Sequence, residues 1–505
     1  MVRFNRETLR DRIHACWLGK NIGGTMGAPY EGTHDIQDIQ GYASAPGQPL
    51  PNDDLDLQLV WLKALSEVGP NKLDAKALGE YWLTYVGPPW NEYGIGKANM
   101  QMGIVPPMSG ELNNADWKHS NGAWIRTEVW ACTHPGLPEK AIRFAYEDSC
   151  VDHGYGEGTY AAIFVAALQS AAFVIDDLDD LVEIALSKIP ENCRVARSVK
   201  LVYECYDKGM SWKETRNAVV EDSSDLGWFQ APANVAFAVL GMKYGGCDFK
   251  KSMITAINCG DDTDCTAATV GATLGIMFGT KAIPDDWRAY IGDSIITLCI
   301  IKGSAYFPET CSDLTDLIMD IIPVTTYGGL LPKNASGPFA PRALHTVEVT
   351  DGPDEIPADF DPSIFKGRNF AKMLEKRAQY SFVTANETMK ALVEFDGAPE
   401  IVPGGEIKLK VTVTQTGCRM YRRFALKWYA PEGFAVAGKT NIFSKWSPGA
   451  GMEDGFMVNG FTDDANFAEV TITAGEKVDP VNRLVLEITS PNLCQPLLVP
   501  ITLLG

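Results

Sequence analysis

Three carboxylates stand within four positions at Asp261-Asp262-Thr263-Asp264, preceded by Asn258-Cys259-Gly260 and followed by Cys265-Thr266-Ala267-Ala268-Thr269-Val270-Gly271. Gly260 supplies a turn. The Asp/Thr cluster is what a helix start prefers, because short oxygen side chains accept from the free backbone N–H groups there. The helix it opens runs on small residues toward Gly279, so its backbone can pack closely against neighbouring helices. Carboxylates carried inward on such a helix repel one another unless a cation neutralises them. Asp262 and Asp264, two apart at a helix start, can aim at one point, and an oxygen ligand set suits a hard divalent ion such as Mg2+.

A second stretch has the same character. Pro51-Asn52-Asp53-Asp54-Leu55-Asp56 opens a helix with Leu55, Leu59 and Leu62 at helical spacing. Two acidic helix starts, roughly two hundred residues apart in the chain, would offer at least four carboxylates and the Asn52 amide oxygen if they met. That is enough for two octahedral ions sharing bridging ligands. Either stretch alone reads equally well as an ordinary N-cap. Together they carry more carboxylates than capping uses, and the metal site is the better reading.

Three further places carry chemistry more weakly. Glu31 follows Pro29-Tyr30 where a glycine-broken helix ends; a lone loop glutamate is commonly just solvated. Asn121-Gly122-Ala123-Trp124-Ile125-Arg126 has turn chemistry whose backbone amides can face a phosphate or sugar, or simply turn. His153 lies in the glycine-punctuated loop Asp152-His153-Gly154-Tyr155-Gly156-Glu157-Gly158, where a polar role and a surface position are equally consistent. The Gly23-Gly24…Gly27 cluster has no G-x-G-x-x-G order and follows no strand, which excludes a dinucleotide fingerprint.

The elements that must position these residues divide the chain in two. Helical patterns cover about 8–32, the stretch after Asp53, 75–86, 138–151, 160–174, 178–188, 193–208, 212–221, 234–244, 284–301 and 311–322, with a long Gly/Pro/Asn-rich loop at 87–122. From 324 to 388 the chain reads as a linker, poor in regular structure, with one charged helix at 370–380. From Met389 to Gly505, period-two strands separated by turns indicate an immunoglobulin-like β-sandwich. The expectation is therefore multidomain, an all-α domain over 1–323 followed by a linker and a sandwich.

A chain of 505 residues has ample core for this. Its net charge of −20 argues against nucleic acid as an obligatory partner and leaves no polybasic membrane handle. The twelve cysteines lie without C-x-x-C pairs and read as reduced core residues. The polar N-terminus is unlike a signal peptide, and no run of apolar residues is long enough to span a bilayer. A cytoplasmic protein is expected, and a homo-oligomer is left open.

In this order, the motifs resemble those of the ADP-ribosylglycohydrolase family over about residues 8–322. Gly19…Gly23-Gly24…Gly27-Ala28-Pro29-Tyr30-Glu31 is similar to its opening glycine helix and glutamate, Asn52-Asp53-Asp54 to its Thr-Asp-Asp motif, Asn121-Gly122 to its substrate loop, and Gly260-Asp261-Asp262-Thr263-Asp264 to its Gly-Gly-Asp-Thr-Asp motif. The resemblance implies an orthogonal all-α helix domain carrying two Mg2+ ions, with Mn2+ as a substitute. It implies Asn52, Asp53, Asp54, Asp262 and Asp264 as metal ligands, Glu31 and Asp53 in catalysis, and Asn121, Gly122 and His153 at the substrate. Three residues depart from the pattern: Asn52 and Cys265 stand where the family has ligand threonines, and Gly24 where it has an aspartate. A thiol is a poor Mg2+ ligand, so one coordination position is expected to fall to water; Asp56 is an extra acid that can compensate for Gly24.

The implied activity is Mg2+-dependent hydrolysis of an ADP-ribosyl or related ribosyl linkage, on a small-molecule or protein-linked glycoside. Two alternatives stand beside it: the same chemistry on another glycoside, a nucleoside or carbohydrate, and a non-catalytic crystallin-like member that keeps the fold.

Overall fold

The computed structural model describes residues 2–326, 347–357, 360–415, 422–444, 467–491 and 493–505. The linker reading of 327–346 lies outside the described residues.

The helical domain is built around one pair of helices. Arg6–Gly27 begins at Asn5, whose side chain accepts from the Glu7 and Thr8 N–H groups. It packs antiparallel against Thr263–Phe278. Small residues meet every four positions along the seam: Ala15 faces Gly275, Gly19 faces Gly271, Gly23 faces Ala267 and Gly27 faces Asp264. A Cβ on Gly19 would lie 2.1 Å from the Gly271 carbonyl oxygen, and one on Gly271 would lie 2.2 Å from that of Gly19. Four-residue spacing on the first helix, matched by Gly275, Gly271 and Ala267 on the second, keeps one face of each helix bare, so the backbones themselves touch. The seam also fixes register, and register sets where the site residues fall. Gly27 ends beside the first turn of the partner, delivering Tyr30 and Glu31 next to Asp264.

Around this pair the core is dense in tryptophan. Trp17, Trp61, Trp82, Trp124 and Trp130 are fully buried. Arg126, also fully buried, lies over Trp82 at 4.9 Å and pairs with Asp148 (2.8 Å) and Asp152 (2.7 Å). A buried guanidinium needs such pairing, because an isolated one would be strongly destabilising.

Two expected elements differ. Part of the long loop at 87–122 is a helix, Asn91–Gln101, whose start carries Glu92 and Tyr93 inward. The helix expected at 284–301 stops at Ile291, where Gly292 takes φ +78° and an irregular segment follows to Thr310. The apolar run Ile295-Ile296 imitates helical spacing, but Gly292-Asp293-Ser294 breaks it.

The strand-rich region is a sandwich of two antiparallel sheets. One has five strands, in the order Ser381–Ala385, Met389–Phe395, Glu406–Gln415, Phe467–Thr473 and Ala435–Gly438; the other has four, Leu497–Leu504, Val481–Thr489, Arg422–Tyr429 and Asn441–Ser444. Met389–Phe395 alternates buried and half-buried residues, as a one-face-in strand should. The first strand, at 381–385, lies in the stretch read as linker; its Ser-Phe-Val-Thr-Ala has a single polar/apolar alternation, too short to register as a strand by pattern. The charged helix is shorter than expected, Asn369–Lys376, and sends Phe370, Met373 and Leu374 into the helical domain's core. Val2–Asn5 pairs in parallel with Val347–Thr350, tying the two ends of the helical domain together. No helix of the described residues is long and apolar enough to cross a membrane.

Candidate metal centre

The Gly260 turn aims the acidic cluster. Gly260 (φ +76°) and Asp261 (φ +66°) are both left-handed, and a Cβ on Gly260 would sit 2.5 Å from the Thr33 carbonyl oxygen. Asp261 holds this uncommon conformation by bonding on every side. Its N–H donates to Thr33 O (2.6 Å), its carbonyl accepts from Gly32 N–H (2.9 Å), and its carboxylate accepts from Phe229 N–H (3.0 Å) and Asn234 Nδ2 (2.9 Å). Asp261 is thus structural, clamping the Glu31 loop to the start of the small-residue helix. Asp262, at the N-cap, makes no side-chain capping bond. Its carboxylate lies instead beside Glu31 and Asp264.

Asn52 is the cap of the other acidic helix, Asp53–Val68; its Oδ1 accepts from Asp54 N–H at 2.7 Å. Asp54 is carried inward to full burial, and Asp53 stays half-buried toward the opening. The two helix starts converge. Ligand atoms of Asp54, Asp264 and Cys265 lie within 4.8 Å of one another, and so do carboxylate oxygens of Glu31, Asp262 and Asp264. Tyr93 donates to Asp53 Oδ2 (2.9 Å), Asn121 Nδ2 donates to Asp262 Oδ2 (2.6 Å), and the Cys265 thiol donates to Asp54 Oδ1 (3.3 Å).

After these bonds, Asp54 Oδ2, Asp262 Oδ1 and Asp264 Oδ1 have no partner; Asp56 Oδ1 and Glu92 Oε2 are the other buried carboxylate oxygens without one among the described residues. Buried acceptors without donors are costly, and Asp264 shares one tight group of ligand atoms with Asp54 and another with Asp262, an arrangement that fits divalent cations. Burial pushes Asp54 and Asp262 well above the ordinary carboxylate range, and repulsion by Asp264 adds to it in both. Asp53 rises to about 6, mainly by burial, and Glu31, solvent-exposed but facing Asp264, is pushed up to about 8. One cation lies beneath them. Lys20, fully buried, donates to Ile125 O (2.5 Å) and pairs with Glu128 at 3.1 Å. Burial alone would lower its pKa, but Glu128 and Asp54 more than offset this and raise it.

Two of the departures from the family pattern are linked in space. A Cβ on Gly24 would fall 1.9 Å from Asn52 Nδ2, a nitrogen that is buried and unpartnered. The larger amide at 52 occupies the room that the missing side chain at 24 leaves. Asp56 does something else than substitute for it: its Oδ2 accepts from Leu298 N–H and from Cys299 N–H (2.6 Å), anchoring the irregular 292–310 segment beside Asp53. Burial raises Asp56 to about 7.

His153 is fully buried rather than on the surface. Its Nδ1 pairs with Asp152 Oδ1 (2.9 Å) and its Nε2 with Ser120 Oγ (3.1 Å), with Glu92 Oε1 at 3.9 Å. Glu92 in turn fills the space over Gly122, where a Cβ would lie 2.2 Å from Glu92 Oε1. His153 therefore stands behind the Asn121-Gly122 loop. Lys20 and Glu92 escaped the sequence reading, Lys20 in a helix interior and Glu92 in a stretch read as loop, whereas Tyr93 is one of the aromatic residues that mark that stretch as a packed, site-forming loop. The signal available was the Glu-Tyr pair at a helix start after Pro-Pro-Trp-Asn.

Two distant helix starts of the helical domain thus converge on buried carboxylates with unpartnered oxygens. The family model for ADP-ribosylglycohydrolase matches residues 5–319, and the chain belongs to that family of glycohydrolases. Among solved structures, one described as an "ADP-ribosylglycohydrolase-related protein complex" is similar at 19% identity, covering 63% of this chain and 99% of that one with a TM-score of 0.44. No curated protein matches the chain.

Proposed function

We propose that the protein is a divalent-metal-dependent glycoside hydrolase acting on an ADP-ribosyl or related ribosyl linkage. The observation that carries this reading is the trio of buried, unpartnered oxygens on Asp54, Asp262 and Asp264. Asp53, Asp54, Asp262 and Asp264 would hold the ions, with Asn52 capping the helix that presents two of them. When bound, the metal supplies Lewis-acid activation of water and a grip on vicinal sugar hydroxyls.

The chain's own residues do the rest. Glu31, exposed and next to Asp262 and Asp264, is placed to move a proton at the scissile bond. A glycosidic transition state is oxocarbenium-like, and the half-buried Asp53 carboxylate stabilises positive charge developing near it. Tyr93 fixes the orientation of Asp53. Asn121, held between Asp262 and the Trp124 indole N–H (2.9 Å), sets the loop that borders the sugar, and His153 supports that loop from behind.

The test is Asp264→Ala and Asp262→Ala against wild type on ADP-ribosyl-arginine, with and without chelator. Activity and metal binding are expected to disappear together in both variants. Full wild-type turnover in excess chelator would refute the mechanism. A nucleoside and carbohydrate-glycoside panel run alongside separates the ribosyl reading from hydrolysis of another glycoside.

A further inference from the structure

The Cys265 thiol is not bystander packing. It lies on the first turn of Thr263–Phe278, one residue after Asp264, and is buried (5% exposed). Its Sγ belongs to the same tight group of ligand atoms as Asp54 and Asp264. The oxygens around it include two that nothing satisfies, Asp54 Oδ2 and Asp264 Oδ1. The two hydroxyls nearest it in the chain are engaged with backbone: Thr266 Oγ1 donates to Thr263 O (3.2 Å), and Thr263 Oγ1 donates to Gly27 O (2.8 Å).

The separation across the thiol's hydrogen bond to Asp54 is also compatible with two ligands on one ion. An oxygen at about 2.1 Å and a sulfur at about 2.3 Å from a shared metal lie roughly 3.1 Å apart at a right angle and roughly 3.6 Å apart at a tetrahedral angle. The Cys265 Sγ to Asp54 Oδ1 separation, 3.3 Å, falls between the two. A mixed oxygen–sulfur set favours borderline-soft ions of the Zn2+ and Co2+ type over Mg2+.

We propose that Cys265 Sγ is a metal ligand in this chain, and that the site takes a thiophilic divalent transition ion at the Asp54–Asp264–Cys265 position. This rests on the reading of the acidic cluster as a metal site. On binding, the S–H bond breaks, the proton leaves to solvent, and the sulfur's electron pair forms the metal–sulfur bond. No electron is transferred and no other reactant is required.

The test uses the full chain, stripped by chelator and titrated with Mg2+, Cd2+ and Co2+. For wild type, Co2+ should produce a near-ultraviolet sulfur-to-metal charge-transfer band. In Cys265→Ser that band should vanish, Cd2+ affinity should fall by at least about tenfold, and Mg2+ affinity should change by less than about threefold. Cys494→Ser, which removes an exposed thiol, should leave all three unchanged. If Cys265→Ser does not fold, Cys265→Thr serves in its place. A wild-type Co2+ complex without the sulfur band, or an unchanged Cd2+-to-Mg2+ preference in the variant, overturns the assignment while leaving a metal site standing. Failure of wild type to bind any of the three ions overturns the metal reading and this inference together.

Discussion

The carboxylates make the protein without metal sensitive to pH in a definite direction. Asp53, Asp54, Asp262 and Glu31 all have folded-state pKa values above their ordinary range. Such groups contribute stability that is present below the unfolded pKa, near 4, and is lost as pH rises through the folded values of about 6 for Asp53 and about 8 for Glu31. A bound cation reverses the sign, because its ligands must be deprotonated. The stabilisation on adding Mn2+, followed as a rise in melting temperature, should therefore grow from pH 5 to pH 8, reaching about 2.7 kcal/mol of free energy when the ion is a hundredfold above its Kd. A gain that is flat with pH would count against the carboxylates as ligands. The Gly24–Asn52 contact makes a second prediction. Gly24→Ala should cost about 1–3 kcal/mol by overpacking against the amide, and Asn52→Ala in the same chain should recover much of that. Urea melts of the two single variants and the double variant read the coupling.

The glycine seam decides whether the two acidic starts meet at all. Gly271→Ala would press a methyl group into the Gly19 carbonyl, and since backbone cannot step aside as a side chain can, a loss of about 3 kcal/mol is expected. Gly27→Ala meets Asp264 Cα and N at 2.4 Å, so it should weaken divalent binding even where the fold survives; calorimetry beside a thermal melt separates the two effects. Much of this was legible in sequence. Both acidic starts, the glycine helix and the small-residue helix are local patterns, and local patterns survive translation into structure. What stayed hidden is what depends on a partner far along the chain. Asp262 and Asp261 look alike in a string, yet one faces the carboxylate cluster and the other pins Thr33 and Phe229, because only the left-handed turn at Gly260-Asp261 tells them apart. Asp56 likewise reads as another acid of the cluster, and its true partners are backbone amides at 298 and 299. The helix at 91–101 was masked by surrounding glycines and prolines.

At the scale of the whole molecule, the sandwich belongs to the support of the site. Ile104, Met108 and Leu112, from the helical domain, are buried in the sandwich's apolar core. Thr502 Oγ1 donates to Gly103 O (2.8 Å), and Gln379 Nε2 donates to Glu111 Oε1 (2.6 Å). From that segment, Ser109 Oγ donates to Val151 O and Asn114 Nδ2 to Asp152 O, both at 2.7 Å, and Asp152 orients His153 behind the Asn121-Gly122 loop. Cutting the chain before Ser381 would uncover three large apolar side chains, at about 1.5–3 kcal/mol each. Their sum approaches the whole stability of a typical domain. The truncated helical domain is expected to be poorly soluble and to melt well below the full chain; an unchanged melt would show the sandwich to be an independent passenger. The parallel pairing of Val2–Asn5 with Val347–Thr350 has a consequence for synthesis. The strand Val2–Asn5 waits for its neighbour until a segment about 345 residues further along the chain has left the ribosome, and the glycine helix waits nearly as long for Thr263–Phe278. A nascent chain thus cannot bring its two acidic helix starts together early, and the carboxylate cluster is complete only once Thr263–Phe278 has emerged.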